Sequence, residues 1–226
     1  MFQLSDAWKT AYPDAHLGVL VMRNVINPPQ HAGLEKQRIS LNSKLRARYE
    51  GQDRPALLLT KPVLQAYEAY YKRFKKTYHI QLQLESILFR GTSIPRAAAL
   101  VEAMFMAEMD TLLLTAGHDL DALQLPLTLD VTPGDETYTL LRGVEQATKA
   151  GDMLIRDGQG IISTTQYGPD ARTQIAARTK NVIFTVYAPA GIDEPAIVQH
   201  LEAIQANVLL IAPRAQTEML QIFGKE

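Results

Sequence analysis

The chain contains no cysteine. That absence excludes a disulfide framework, a thiolate nucleophile, an iron–sulfur cluster and any cysteine-based zinc site. Long hydrophobic runs are also missing: segments 17–22 and 208–212 fall far short of the ~20 residues that a bilayer-crossing helix needs. No contact with a membrane is therefore expected. The opening residues, Met-Phe-Gln-Leu-Ser-Asp-Ala-Trp, carry neither the positive nor the apolar region of a secretory signal, so a cytoplasmic location is expected. There is no G-x-x-x-x-G-K-[ST], G-x-G-x-x-G, G-x-S-x-G or H-E-x-x-H, which leaves phosphate-loop, dinucleotide, hydrolase-elbow and zincin mechanisms without support. No repeat, low-complexity tract or Gly/Ser-rich linker divides the 226 residues, so a single α+β domain is expected.

Net charge is only −1, but it is unevenly distributed. Between residues 34 and 76, eleven basic side chains face four acidic ones, giving +7 there and −8 elsewhere. A basic lobe on an otherwise acidic molecule suits a polyanion, although basic residues also populate ordinary solvated helix faces.

Hydrophobic periodicity divides the chain into a mainly helical first half and a mainly strand second half. Residues 17–25 read as a strand, closed by the Asn-Pro-Pro breaker at 27–29. Leu34, Leu41, Leu45 and Tyr49 recur at helical spacing within 31–50. After Pro62, Leu64, Tyr67, Tyr71, Phe74 and Tyr78 fall within about 80° of arc on a helix, with Lys72, Arg73 and Lys76 on the far side. Rings interleaved with cations can stack bases. Rings on one stripe and charges on another predict a buried aromatic face, leaving the charged face for phosphates.

Ser93 and Pro95 are expected to open a third helix, whose body at 97–109 is apolar nearly all round and hence buried. Glu102 and Glu108 are exceptions that must pair, take a proton or line a pocket. Strands are expected at 127–132, 136–142, 152–157, 160–166 and 180–188, with a hairpin at Asp157-Gly158. A helix from Asp193 to about 207 and a short strand at 208–212 complete the reading.

Two polar clusters are candidates for chemistry. Thr115, His118, Asp119 and Asp121 follow the buried helix. They suit a turn in which Asp119 caps and His118 donates to a carbonyl, or a pocket wall for a small polar ligand; a metal site would need further ligands. Tyr167, Asp170, Arg172 and Thr173 surround a Gly-Pro turn, a place where function concentrates.

From about residue 94 to 192 the chain resembles the B3/B4 module of the phenylalanyl-tRNA synthetase β subunit, in its free-standing form. The matches lie in Leu100-Val-Glu-Ala-Met-Phe-Met-Ala-Glu108, Gly117-His-Asp-Leu-Asp-Ala-Leu123, Gly134-Asp-Glu136, Gly151-Asp-Met-Leu-Ile155 and Thr179-Lys-Asn-Val-Ile183. The resemblance implies N-terminal helices packed on a mostly antiparallel sheet, with a basic helical part at 1–92, a core at 93–192 and a C-terminal helix and strand at 193–226. It implies a tRNA-binding protein that hydrolyses misacylated aminoacyl-tRNA in trans, an ester hydrolase; no cofactor or metal is expected. In a site built from this chain's own residues, different from the family's, His118 and Asp170 would orient water. Glu108, Thr115, Asp119, Tyr167, Arg172 and Thr173 would hold the substrate, and Arg46, Arg48, Lys72, Arg73 and Lys76 would contact RNA. The family's pocket threonine and histidine align with Met104 and Ala116, and Asp170 is the only acid near its glutamate. Those departures favour an alternative: a non-catalytic pocket for an amino acid or similar small ligand.

Overall fold

The computed structural model describes residues 2–224, the side chain of Leu59 excepted. The N-terminal half comprises β1 (Phe2–Leu4), α1 (Asp6–Ala11), β2 (His16–Arg23), α2 (Ala32–Arg48), α3 (Arg54–Thr60), α4 (Pro62–Lys72), α5 (His79–Phe89) and α6 (Ala99–Thr111). Then follow β3 (Thr115–Asp119), β4 (Leu127–Val131), β5 (Thr137–Thr139), β6 (Glu145–Ala147), β7 (Met153–Asp157), β8 (Gly160–Thr164) and β9 (Gly168–Pro169). The chain closes with β10 (Val182–Ala188), α7 (Glu194–Ile211) and β11 (Gln216–Phe223). The fold is α+β, as expected. Among the described residues no helix is long and apolar enough to cross a membrane.

An antiparallel sheet in the order β11-β2-β10-β3 forms the centre. Strands β2 and β10 are apolar along most of their length because both faces are covered. On one face Gly18 allows α7 to approach: a Cβ there would lie 2.4 Å from Ile197 Cγ2. On the other, Tyr187 of β10 bonds Ser163 of β8 through their hydroxyls, 2.6 Å apart, within the second sheet, β1-β4-β7-β8-β9. The hairpin expected at Asp157-Gly158 is the β7–β8 pair.

The aromatic stripe is core, as its spacing predicts: Tyr67, Tyr71 and Tyr78 are fully buried. Its backbone is not one helix, however. Helix α4 ends at Lys72, Lys75 turns through a left-handed φ of 56°, and α5 starts at His79. Other expectations are corrected too. Helix α6 begins at Ala99 rather than Ser93, because the 27–28 breaker supplies its cap: Asn27 Oδ1 accepts from the Leu100 amide and the Pro28 carbonyl from Ala99. Segment 208–212 is not a strand. Helix α7 continues through Ile211, since Ile197, Leu201, Ile204, Val208 and Ile211 keep helical spacing and all are buried. Pro213 then blocks further helix, and the strand comes at β11. The N-terminal elements β1 and α1 and the short α3 have no counterpart in the sequence reading.

Candidate functional site

The turn from α6 into β3 builds one wall of a cavity. Leu112 adopts a left-handed conformation (φ 68°, ψ 17°) that ends α6 and sends the chain back as β3. The buried tyrosines hold this reversal: Tyr78 Oη donates to the Leu112 carbonyl (2.9 Å), and Tyr67 Oη accepts from the Leu114 amide (2.9 Å) while donating to the Tyr187 carbonyl (2.6 Å). They hold the opposite wall too. Tyr71 Oη donates to the Thr165 carbonyl (2.7 Å); Tyr70 Oη donates to Asp152 (2.6 Å) and accepts from the Met153 amide (2.7 Å).

Between these walls lies a cavity of about 450 Å³. Val101, Met104, Phe105 and Glu108 of α6 line one side, Thr115 and Gly117 of β3 another, and Gln166 to Pro169 with Gln174 and Ile175 the third. Exposed His79 and Leu141 mark the mouth. The volume suits a small organic ligand, and the lining is largely apolar with a few polar groups.

Glu108 is the carboxyl of this cavity. Its Oε1 accepts the Thr115 amide at 2.9 Å, and burial pushes its pKa up to about 8, against the pull of that bond. At neutral pH it holds its proton. Thr115 is committed elsewhere: Thr111 Oγ1 donates to the Ala107 carbonyl, so it accepts from His200 Nδ1 (2.6 Å), and Thr115 Oγ1 must donate to His200 Nε2 (2.6 Å). Burial holds His200 neutral, its pKa lowered to about 3. Gln166 stands apart. It is only 7% exposed, lines the cavity, and neither its Oε1 nor its Nε2 has a hydrogen-bond partner.

Strand parity sorts the residues picked out in the sequence. Residues 115, 117 and 119 share one face of β3 and 116 and 118 the other, because successive side chains alternate. Thr115 therefore reaches the cavity, as do Glu108 of α6 and Tyr167 before β9. His118 does not; this corrects its expected place against a substrate. Fully buried, it donates from Nδ1 to Thr173 Oγ1 (2.7 Å), whose own proton goes to Asp170 in a short bond. That leaves Nε2 without a proton or a partner, and burial lowers the His118 pKa to about 3. Asp170 also accepts the Thr173 amide, and Arg172 forks onto Asp157 with two 2.9 Å bonds. Asp170, Arg172 and Thr173 thus close a latch behind the 168–175 wall and do not face the cavity. Asp119 caps the turn after β3, accepting from the Asp121 amide, and takes the Thr179 hydroxyl. Glu102 pairs with Arg38 at 2.8 Å.

The basic candidates are likewise sorted. Arg46 donates to the Gly91 and Thr92 carbonyls, Arg48 pairs with Asp110 (2.8 Å) and Lys72 with Glu68 (3.2 Å). Arg73 lies over the rings of Tyr12, Tyr70 and Phe74. Lys76 Nζ sits 3.6 Å from the ring centre of Tyr167, at the cavity's edge. Burial and the ammonium of Lys149 lower its pKa. The basic segment therefore touches the site.

Sequence reasoning missed Gln166, Lys149 and Asp152. Asp152 is fully buried, accepts from Tyr70 Oη and the Gln166 amide, and has its pKa raised to about 6 by burial. The polar run Thr164-Thr165-Gln166 ending an apolar strand was the available signal. Among the described residues no group of three or more His, Asp or Glu side chains is placed to hold a metal ion.

No curated protein matches the chain. Among solved structures it is similar to an N-terminal fragment of the phenylalanyl-tRNA synthetase β-subunit from Pyrococcus horikoshii, with a TM-score of 0.47 and 11% identity. That match covers 98% of this chain and 50% of the other, so the chain spans about half the length of that structure. The family model described as the B3/4 domain matches residues 64–205, from α4 into α7, and takes in every wall of the cavity. The chain belongs to the B3/4 domain family.

Proposed function

We propose that this protein binds the aminoacyl 3′ end of a tRNA, with the aminoacyl group in the cavity, and hydrolyses the ester in trans. One observation carries the reading: a cavity of about 450 Å³, largely apolar with a few uncharged polar groups, has the Lys76 ammonium at its edge. Lys76 and Lys149 repel one another, and an RNA phosphate would relieve that repulsion. The polyanion then stays outside while the aminoacyl group enters. Glu108, Thr115 and Tyr167 line its place, and Lys76 would balance the charge that develops on the ester oxygen as water attacks. The core running from Trp8 to Ile211 supports treating the chain as one B3/B4-like domain.

A second reading has an observation of its own. Glu108 is protonated at neutral pH and the His118–Asp170 pair is sealed, so among the described residues the one base that lines the cavity is His79 at its mouth, its Nδ1 3.3 Å from Tyr71 Oη; that favours binding of an amino-acid-like ligand without turnover. Deacylation of a panel of cognate and mischarged aminoacyl-tRNAs separates the two. Hydrolysis of one class, reduced by Lys76→Ala, supports the first reading. Tight binding of an aminoacyl analogue with no hydrolysis of any member supports the second.

A further inference from the structure

Gln166 presents a problem that the protein alone does not solve. Its backbone is fixed, since the Gln166 amide donates to Asp152 at 3.1 Å and Tyr71 holds the preceding carbonyl at 2.7 Å. The residue is only 7% exposed, yet its side-chain oxygen and nitrogen bond to nothing. A buried amide left unpaired is costly, and native structures rarely tolerate one without a reason. Gln166 borders the cavity, so a ligand is the group positioned to satisfy it.

The surroundings restrict what that ligand carries. Among the described residues no lysine or arginine lines the cavity, Lys76 standing at its edge, and its one carboxyl, Glu108, is neutral at neutral pH, so an ionised side chain set among the lining residues would find no counter-charge there. Val101, Met104, Phe105 and Ile175 supply an apolar wall for a carbon stem. An apolar ligand would fit that wall but leave the amide unpaired, the circumstance in which polar sites discriminate most strongly.

We propose that Gln166 is the specificity-determining residue of the cavity, selecting an aminoacyl side chain that ends in a neutral group with both a donor and an acceptor, such as a carboxamide. This rests on the aminoacyl reading above. The carboxamide pairs with the Gln166 amide in both directions, each donating one N–H to the other's oxygen.

The test uses the full chain and non-hydrolysable 3′-aminoacylamino-3′-deoxyadenosine analogues, with binding measured by calorimetry. Asparaginyl, leucyl and aspartyl analogues are close in size and differ in end group. The asparaginyl analogue is expected to bind about tenfold or more tightly than either of the others, the effect of one satisfied buried polar group. Gln166→Leu is expected to abolish that preference and to tighten leucyl binding; Gln166→Met serves the same purpose should the leucine variant not fold. Equal binding of the three analogues to the native protein, or an unchanged preference in the variant, overturns the assignment and leaves the aminoacyl reading standing. No binding by any analogue overturns both.

Discussion

Replacing Glu108 by glutamine tests whether the cavity holds a neutral carboxyl. The pKa of Glu108 rises from 4.5 to about 8 on folding, so between those values the unfolded chain releases a proton that the native protein keeps. Stability from this group is complete below pH 4.5, declines as pH rises and is lost above about 8. Each unit is worth about 1.4 kcal/mol, so the decline from pH 5 to pH 8 is about 4 kcal/mol. In Glu108→Gln the side-chain carbonyl still accepts the Thr115 amide, but nothing ionises. The variant is therefore expected to match the native protein within about 1 kcal/mol at pH 5 and to exceed it by several at pH 8. Urea titrations followed by the fluorescence of Trp8, the single tryptophan and fully buried, measure this directly. Groups common to both proteins, such as Asp152 and His200, cancel in the difference. Parallel stability curves from pH 5 to 8 would refute the reasoning, because they would mean that the carboxyl ionises freely in the native cavity.

Three other outcomes follow from the same geometry. His118, its pKa lowered to about 3, stays neutral in the fold while the unfolded chain protonates below 6.5. Stability thus falls as pH drops from 6.5, and His118→Asn should flatten that acid limb by about 1.4 kcal/mol per unit in urea titrations at pH 4 to 6.5. Gly18→Ala places a Cβ 2.4 Å from Ile197 Cγ2. Overpacking of this kind costs about 1–3 kcal/mol and should lower Tm by several degrees in calorimetry. For tRNA binding, Lys76→Ala with Lys149→Ala should reduce the slope of log K against log salt by about 2, whereas Arg48→Ala, its charge held by Asp110, should leave the slope unchanged in filter-binding titrations.

What the sequence made legible was periodicity. The stripe Leu64, Tyr67, Tyr71, Phe74 and Tyr78 announced a buried face, and Asp157-Gly158 announced a hairpin, because both depend on residues a few positions apart. Parity was harder. The cluster at 115–119 read as one polar group, but a strand deals successive side chains to opposite faces, so Thr115 meets the cavity and His118 the latch. Nor does local spacing show that Arg172 reaches Asp157 or that Arg38 reaches Glu102, since these partners come from other elements. Segment 208–212 misled for a related reason: five apolar residues look alike in a buried strand and in the last turn of a buried helix.

The latch gives the His118 cluster a purpose that needs no contact with ligand. His118, Thr173, Asp170, Arg172 and Asp157 form a chain of hydrogen bonds and ion pairs running from β3 to β7. Segment 168–175 contributes both to that chain and to the cavity wall, through Gly168, Pro169, Gln174 and Ile175. Beyond the two residues of β9 this wall is irregular backbone, which needs such support because it lacks the continuous ladder that stiffens a strand. On the facing side the tyrosines of α4 and the α4–α5 turn do the same work for the Thr165 carbonyl and the α6–β3 reversal. Polar side chains on one side and aromatic ones on the other thus fix both walls from behind. The groups left to meet a ligand are few and uncharged, so the discrimination proposed for the cavity falls to the unpaired amide of Gln166.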